Sequence, residues 1–292
     1  MPTKILSDFD GVWTDQALEA KSVLFFMIAE AARLARVPAN RALADFTEFE
    51  ALAQARPAEF GWAPDGRITA YVDEDPFCVA NSIAAWLTAS SDEREVLYRE
   101  AVLDAGHETL TAFADHCFHT ATENYRNLHP PALVPDALEV FDALRRAGAE
   151  VVVVSNSSPS KLIDWFRASG IDAGEDASHA LRVRGSAGKF VLGETDASLE
   201  IAGRRIFVDR PKYRAIIGEE DPDVVIGDVY SLDLALPHAM REEGAAGAPR
   251  RLILRGHEHT PSWVRDDRAE GTIDRVVEGV ADLVDECSEV TA

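Results

Sequence analysis

Two aspartates open the chemistry of this chain. Asp8 and Asp10 follow the apolar start Lys4-Ile5-Leu6 in the segment Ser7-Asp8-Phe9-Asp10-Gly11-Val12-Trp13-Thr14. Side chains alternate along a strand, so positions 8 and 10 share one side if the strand runs that far. Two like charges held together cost free energy unless a cation or a shared proton compensates. An acidic strand end before a glycine turn explains little of that cost, whereas a site that binds a cation or moves a proton explains it.

Three further segments place polar groups where an apolar run stops. Val151-Val152-Val153-Val154 leads into Ser155-Asn156, with Ser157 and Ser158 opening the next helix. Lys212 starts a helix after the strand expected at Arg205 to Val208. Val224-Val225-Ile226 ends in Gly227-Asp228, with Asp233 shortly beyond. In open α/β sheets ligands bind beyond the carboxyl ends of the strands, which is where these groups fall. Lys189 competes with Lys212, but its Gly-Lys-Phe-Val surroundings read as part of a hairpin. Ser155 also suits a helix cap and Asp233 an acid favoured at a helix start.

The elements that must carry these residues follow from periodicity. Beyond the first strand, Glu19 to Arg36, Asn40 to Ala55, Phe77 to Ala89, Asp92 to Ala105 and Glu108 to Asn127 show helical apolar spacing, punctuated by prolines. From about Pro135 helices and strands alternate: helix Asp136–Arg146, the four-valine strand, helix Pro159–Ser169, strand Arg205–Val208, helix Pro211–Gly218, strand Asp223–Gly227, helix Leu232–Glu243, strand Arg251–Leu254 and a terminal helix Asp274–Glu286. Such alternation specifies a parallel α/β sheet. The expected division is a discontinuous α/β core, residues 1–18 and 130–292, interrupted by a helical unit at 19–129. Short alternating stretches between 173 and 209 are expected to form a β-hairpin elaboration.

Composition limits the partners. The chain has 292 residues, 47% hydrophobic and 27% charged, enough for one elaborated domain or two. A formal charge of −22 argues against a nucleic-acid backbone as partner. Three scattered cysteines (Cys78, Cys117, Cys287) without Cys-x-x-Cys spacing fit a reducing compartment. The apolar run Val23 to Ala29 is far short of a membrane span, so no membrane partner and a cytoplasmic location are expected.

Taken in order, the four segments resemble the haloacid dehalogenase (HAD) superfamily. Asp8 to Thr14 matches its Asp-x-Asp-Gly-x-x-Thr motif, Ser155 its strand-terminal Ser/Thr, Lys212 its isolated lysine, and Gly227-Asp228 with Asp233 its distal acids. The resemblance implies a Rossmann-like three-layer α/β/α core, with residues 19–129 as a helical cap. It implies a phosphohydrolase in which Asp8 attacks phosphorus, Asp10 serves as general acid and base, and Ser155 and Lys212 hold the phosphoryl group. Backbone donors near Gly11 and Asn156 would assist. Mg²⁺ would be held by Asp8, the Asp10 main chain and Asp228, with Asp233 orienting metal-bound water. Trp13 departs from the motif, where a smaller aliphatic is usual; it either narrows the entrance or packs under the turn.

The expected substrate is a small phosphorylated metabolite, because large caps restrict access. Composition and spacing leave its identity and the oligomeric state open. A phosphomutase would use the same four motifs, and a non-catalytic binding protein on a retained fold is the reading from another class. Dehalogenation fits poorly with Asp10 present. Phosphonate hydrolysis would need a cap lysine, and only Lys21 lies near it. Elsewhere, His116 and His119 with Glu123 have the spacing of half a metal site, although packing around a buried Cys117 explains them better. His257-Glu258-His259 follows a late strand and is in position to reach the site mouth, although a surface loop explains it better, and Asp73-Glu74-Asp75 reads as a solvated turn. The aromatics Phe25, Phe26, Trp86, Phe113, Phe118 and Tyr125 read chiefly as core of the helical unit.

Overall fold

A computed structural model describes residues 3–285. The first strand, β1 (Thr3–Ser7), is followed by α1 (Ala17–Ala35), α2 (Ala39–Gln54), the two-residue strands β2 (Gly61–Trp62) and β3 (Ala70–Tyr71), α3 (Cys78–Ala89), α4 (Glu93–Asp104) and α5 (Leu110–Leu128). The chain continues with α6 (Ala137–Arg146), β4 (Ala149–Val154), α7 (Pro159–Ala168), β5 (Ala173–Gly174), β6 (Leu181–Arg184), β7 (Ser198–Ile201), β8 (Arg204–Phe207) and α8 (Pro211–Glu220). It then forms β9 (Val224–Gly227), a π-helical turn at Tyr230–Leu234, α9 (Ala235–Glu242), β10 (Arg251–Arg255) and β11 (Arg275–Val277). Among the described residues no helix is long and apolar enough to cross a membrane.

Two compact units result, one from Met1–Asp15 with Pro131–Ala292, the other from Gln16–Pro130. The first holds a seven-stranded sheet in the order β11-β10-β9-β1-β4-β6-β5, parallel throughout. β1 lies at the centre, with Ile5 opposite Val151 of β4 on one side and Val224 of β9 on the other. The chain therefore winds outward in both directions from β1, and this reversal opens a crevice at the carboxyl ends. Ile5, Val151, Val153, Val224, Ile226 and Ile253 join the core against α6 and α7. The alternate residues Leu6, Val152, Val225, Leu252 and Leu254 are buried too. Burial on both faces explains why these strands are near-continuous apolar runs rather than alternating ones.

The second unit packs α1 to α5 around Met27, Phe46, Phe49, Ile83, Tyr98, Phe113 and Cys117, all buried. The Tyr98 hydroxyl donates to the Asp45 carboxylate at 2.7 Å. Burial pushes the Cys117 thiol up to about 12, that of a packing residue and not a nucleophile. Of the expected core aromatics, Phe113 is fully buried while Phe25 is exposed. Glu74 and Asp75 are buried, not solvated as the sequence suggested, and Asp75 accepts from the Phe77 amide at 2.8 Å.

Strand assignment differs from expectation at three places. Residues 181–184, read as hairpin, are β6 of the main sheet, parallel to β4. The sheet strand expected at Arg205–Val208 is instead β8, Arg204–Phe207, paired antiparallel with β7 in a separate ribbon, Ser198 opposite Phe207. The expected terminal helix begins as β11, parallel to β10, and Glu286 lies outside the described residues, as does Cys287.

Candidate active site

Each strand of the central group delivers one side chain to the crevice. Asp8 leaves β1 as its amide donates to the Ile226 carbonyl of β9 at 2.8 Å. Gly11 then turns the chain at φ +81°, a left-handed conformation that suits glycine. Its amide is taken by the Thr14 hydroxyl at 3.2 Å, so the motif's glycine and threonine close the turn on each other. Trp13 is fully buried beneath the turn, its Nε1 donating to Ser7 Oγ at 2.9 Å and its ring edge-on to Phe166. Packing, not the entrance, accounts for that residue.

Asp8, Asp228 and Asp233 converge: one carboxylate oxygen from each lies within 4.8 Å of the others, and all three are buried. This is the one such group of potential metal ligands among the described residues, so His116 and His119 belong to none. Gly227 has no side chain because Asp233 occupies the space; a Cβ there would lie 2.2 Å from the Asp233 Cβ. The π-helical turn brings Asp233 back so that its Oδ2 accepts from the Val229 amide at 3.1 Å.

The lysine in the cluster is Lys189. Its Nζ donates to Asp8 Oδ1 at 2.6 Å and to Asp233 Oδ1 at 2.8 Å, and the residue is 2% exposed. Lys212, the expected phosphoryl-binding lysine, instead points along the surface, where its Nζ donates to the Ser186 carbonyl. The reason is the placement of β6. Because β6 belongs to the main sheet, the loop after it opens at the carboxyl end beside β4. That loop is tied to the β4 loop by Ala187 N to Ser155 O at 2.9 Å and Ser186 N to Ser157 O at 2.7 Å. Asn156 Oδ1 accepts from the Lys189 amide at 2.7 Å, so the expected donor position holds the lysine in place. The signal in the sequence was the loop Gly185-Ser186-Ala187-Gly188 directly after Leu181-Arg182-Val183-Arg184, legible only if those four residues are read as a sheet strand.

Asp10 stands apart from the three carboxylates. Its Oδ1 accepts from Lys161 Nζ at 3.0 Å, and its Oδ2 from Ser157 Oγ at 3.0 Å and Ser155 Oγ at 3.3 Å. Lys161, one turn into α7, also donates to Ser157 Oγ and lies over the Phe9 and Trp165 rings. Sequence reasoning missed it. Ser155 does not cap α7; Ser158 does, accepting from the Lys161 amide. His257, after β10, is part-buried at the site, its Nε2 3.6 Å from Asp228 Oδ2 and its ring stacked on His259, while Glu258 and His259 are exposed.

Burial raises the Asp8 carboxyl to about 7, opposed by Lys189 and reinforced by Asp233 and Asp10. The Lys189 ammonium is penalised by burial, yet Asp233 and Asp8 hold its pKa above the usual lysine value. One ammonium thus serves two buried carboxylates, Asp8 and Asp233, and burial still leaves the Asp8 carboxyl raised. Asp8, Asp228 and Asp233 together offer the hard oxygen donors that Mg²⁺ takes, so the residues fit that ion. Burial, Arg255 and His259 depress His257 to about 4.

No protein-family model matches the chain, and no curated protein sequence matches it. Solved structures do. A HAD-hydrolase, YfnB from Bacillus subtilis, bound to magnesium, is 12% identical with a TM-score of 0.45, over 98% of this chain and 99% of that one. A haloacid dehalogenase-like hydrolase, SP0104 from Streptococcus pneumoniae, is 10% identical with a TM-score of 0.48, over 98% of both. A 2-haloacid dehalogenase from Pseudomonas syringae pv. Tomato is 16% identical with a TM-score of 0.44, over the whole of both chains.

Proposed function

We propose that this protein is a Mg²⁺-dependent phosphohydrolase that cleaves small organic phosphate esters through an aspartyl-phosphate on Asp8. The observation that carries the reading is the buried Asp8, Asp228 and Asp233 group at the carboxyl end of a parallel sheet, with the Lys189 ammonium bridging Asp8 and Asp233. Asp8 and Asp233 share one ammonium while burial still raises the Asp8 carboxyl, and one oxygen each of Asp8, Asp228 and Asp233 converge, an arrangement suited to a further cation.

Asp8 is the nucleophile: its carboxylate attacks phosphorus, the ester oxygen leaves, and water later releases phosphate from Asp8. Asp10 hands a proton to the leaving oxygen and takes one from the attacking water, and the Ser155, Ser157 and Lys161 donors aim its carboxylate. Lys189 holds Asp8 in its attacking orientation and neutralises charge that accumulates as the phosphoryl group arrives. Asp8 and Asp228 would hold the metal, with Asp233 turned toward its waters because both its oxygens already accept protein hydrogen bonds. The bound ion would supply the positive charge that lets an anionic nucleophile meet an anionic ester. Lys212 has no part in this reading.

A panel of phosphate esters, assayed for phosphate release with and without Mg²⁺ beside Asp8→Asn, tests it. Wild type is expected to release phosphate only with the metal. Asp8→Asn should keep its fold and lose at least about a thousandfold in turnover. A phosphomutase would pass the phosphoryl group to a second hydroxyl, and absence of free phosphate from every ester would favour it. Equal turnover in both proteins would remove Asp8 from the chemistry.

A further inference from the structure

Arg210 is fully buried beside the site. It immediately precedes α8, and its guanidinium spans three main-chain carbonyls. Nε donates to Phe207 at 3.1 Å, Nη2 to Ser231 at 3.0 Å and Nη1 to Lys189. Lys189 belongs to the loop after β6, whereas Ser231 lies in the π-helical turn that carries Asp233. The two loops are far apart in sequence and approach through this side chain. One turn later Tyr213 repeats the pattern: its hydroxyl donates to the Asp233 carbonyl at 2.9 Å, and its ring lies 5.3 Å from Lys189 Nζ.

A buried guanidinium is a poor way to gain stability. Its desolvation costs several kcal/mol, and apolar residues of similar volume commonly do as well or better. What a guanidinium offers is a rigid planar fork that fixes two acceptors at a set separation, which the single point of a lysine cannot do. The acceptors here are the main chains bearing the two groups that must meet at Asp8.

We propose that Arg210 is a positioning residue that sets the Lys189 loop against the Asp233 turn, so that the ammonium bridges Asp8 and Asp233. Tyr213 supports the same alignment from the next turn of α8. The effect on turnover rests on the phosphohydrolase reading; the alignment itself does not.

The test observes Lys189 directly. An ammonium buried against two carboxylates exchanges slowly and gives its own ¹H–¹⁵N lysine signal, assigned by its disappearance in Lys189→Met. In Arg210→Lys, thermal unfolding is expected to stay cooperative while that signal is lost or moves to the exposed-lysine position. In the ester assay kcat should fall about 10- to 100-fold with KM within about threefold. A cooperatively folded Arg210→Lys with an unmoved signal would overturn the proposal. If that variant does not fold, Tyr213→Phe decides, since it removes only the hydroxyl. A shifted ammonium signal and a roughly three- to tenfold lower kcat are then expected, and an unmoved signal overturns the proposal. Should wild type release no phosphate from any ester, the signal still reports on Arg210, so the two failures are distinct.

Discussion

Replacing Lys189 by methionine keeps the length of the side chain and removes one buried charge. In wild type its Nζ is 2.6 Å from Asp8 and 2.8 Å from Asp233. Without it two carboxylates whose oxygens lie within 4.8 Å face each other with their common counter-ion gone. At an effective dielectric of about 20 that repulsion alone is about 3 kcal/mol, and breaking a buried pair typically costs about 3–5 kcal/mol. The loss must depend on pH. Lys189 lowers the Asp8 pKa, so its removal drives Asp8 above its value of about 7. A folded-state pKa raised this far favours the folded protein below the unfolded value and loses that contribution as pH rises through the folded one. Urea denaturation of the metal-free proteins should therefore show a deficit that is small near pH 5, where protons replace the ammonium, and grows as pH rises through 8 and beyond. In the ester assay kcat should fall about 10²- to 10³-fold, the scale for removing a positioned charge from developing phosphoryl charge. Lys212→Met, whose ammonium only meets the Ser186 carbonyl at the surface, should stay within about threefold of wild type. A Lys189→Met protein with unchanged stability at pH 8, or a larger loss of kcat in Lys212→Met, would refute the assignment.

Gly227→Ala should place a methyl group 2.2 Å from the Asp233 Cβ. Overpacking of this kind costs about 1–3 kcal/mol, and the displaced Asp233 should lower kcat at least about tenfold; calorimetry and the ester assay check both, and activity within twofold would contradict the geometry. His257 titrates near 4 in the fold against 6.5 when unfolded. Its contribution is present above 6.5 and lost as pH falls through 4, about 3 kcal/mol in full at 1.36 kcal/mol per pH unit. His257→Gln should therefore lose about 2–3 kcal/mol less than wild type between pH 7 and pH 4.5 in denaturant titrations; parallel losses would show that the ring is not buried neutral.

The motifs at Asp8, Ser155 and Gly227-Asp228 are legible because each ends an apolar run that the sheet buries on both faces, and Asp233 follows the last of them at short spacing. β6 was obscured by its position near the edge of the sheet. Leu181 and Val183 are buried while Arg182 and Arg184 pair with Glu150, Glu219 and Glu220. That alternation is the pattern of a half-exposed hairpin strand, and periodicity cannot distinguish the two. Within 274–286 the buried Val277, Val280 and Leu283 recur at helical spacing, although Arg275–Val277 is strand β11. Lys161 carried no signal at all, since a lysine in the first turn of a helix is ordinarily solvated.

By itself the sequence determined that the protein has a parallel α/β core interrupted by a helical segment, and that carboxylates gather where its strands end. Local patterns suffice for this, because burial on both faces and the glycines beside Asp10 and Asp228 are written into consecutive residues. Which lysine enters the cluster was a tertiary decision. Lys189 and Lys212 both follow expected strands, and only the pairing of β6 with β4 puts one loop over Asp8 and leaves the other lysine on the surface. The same holds for Arg210, whose partners Lys189 and Ser231 become neighbours only when the sheet has formed and a buried guanidinium must find its acceptors in the main chain around it.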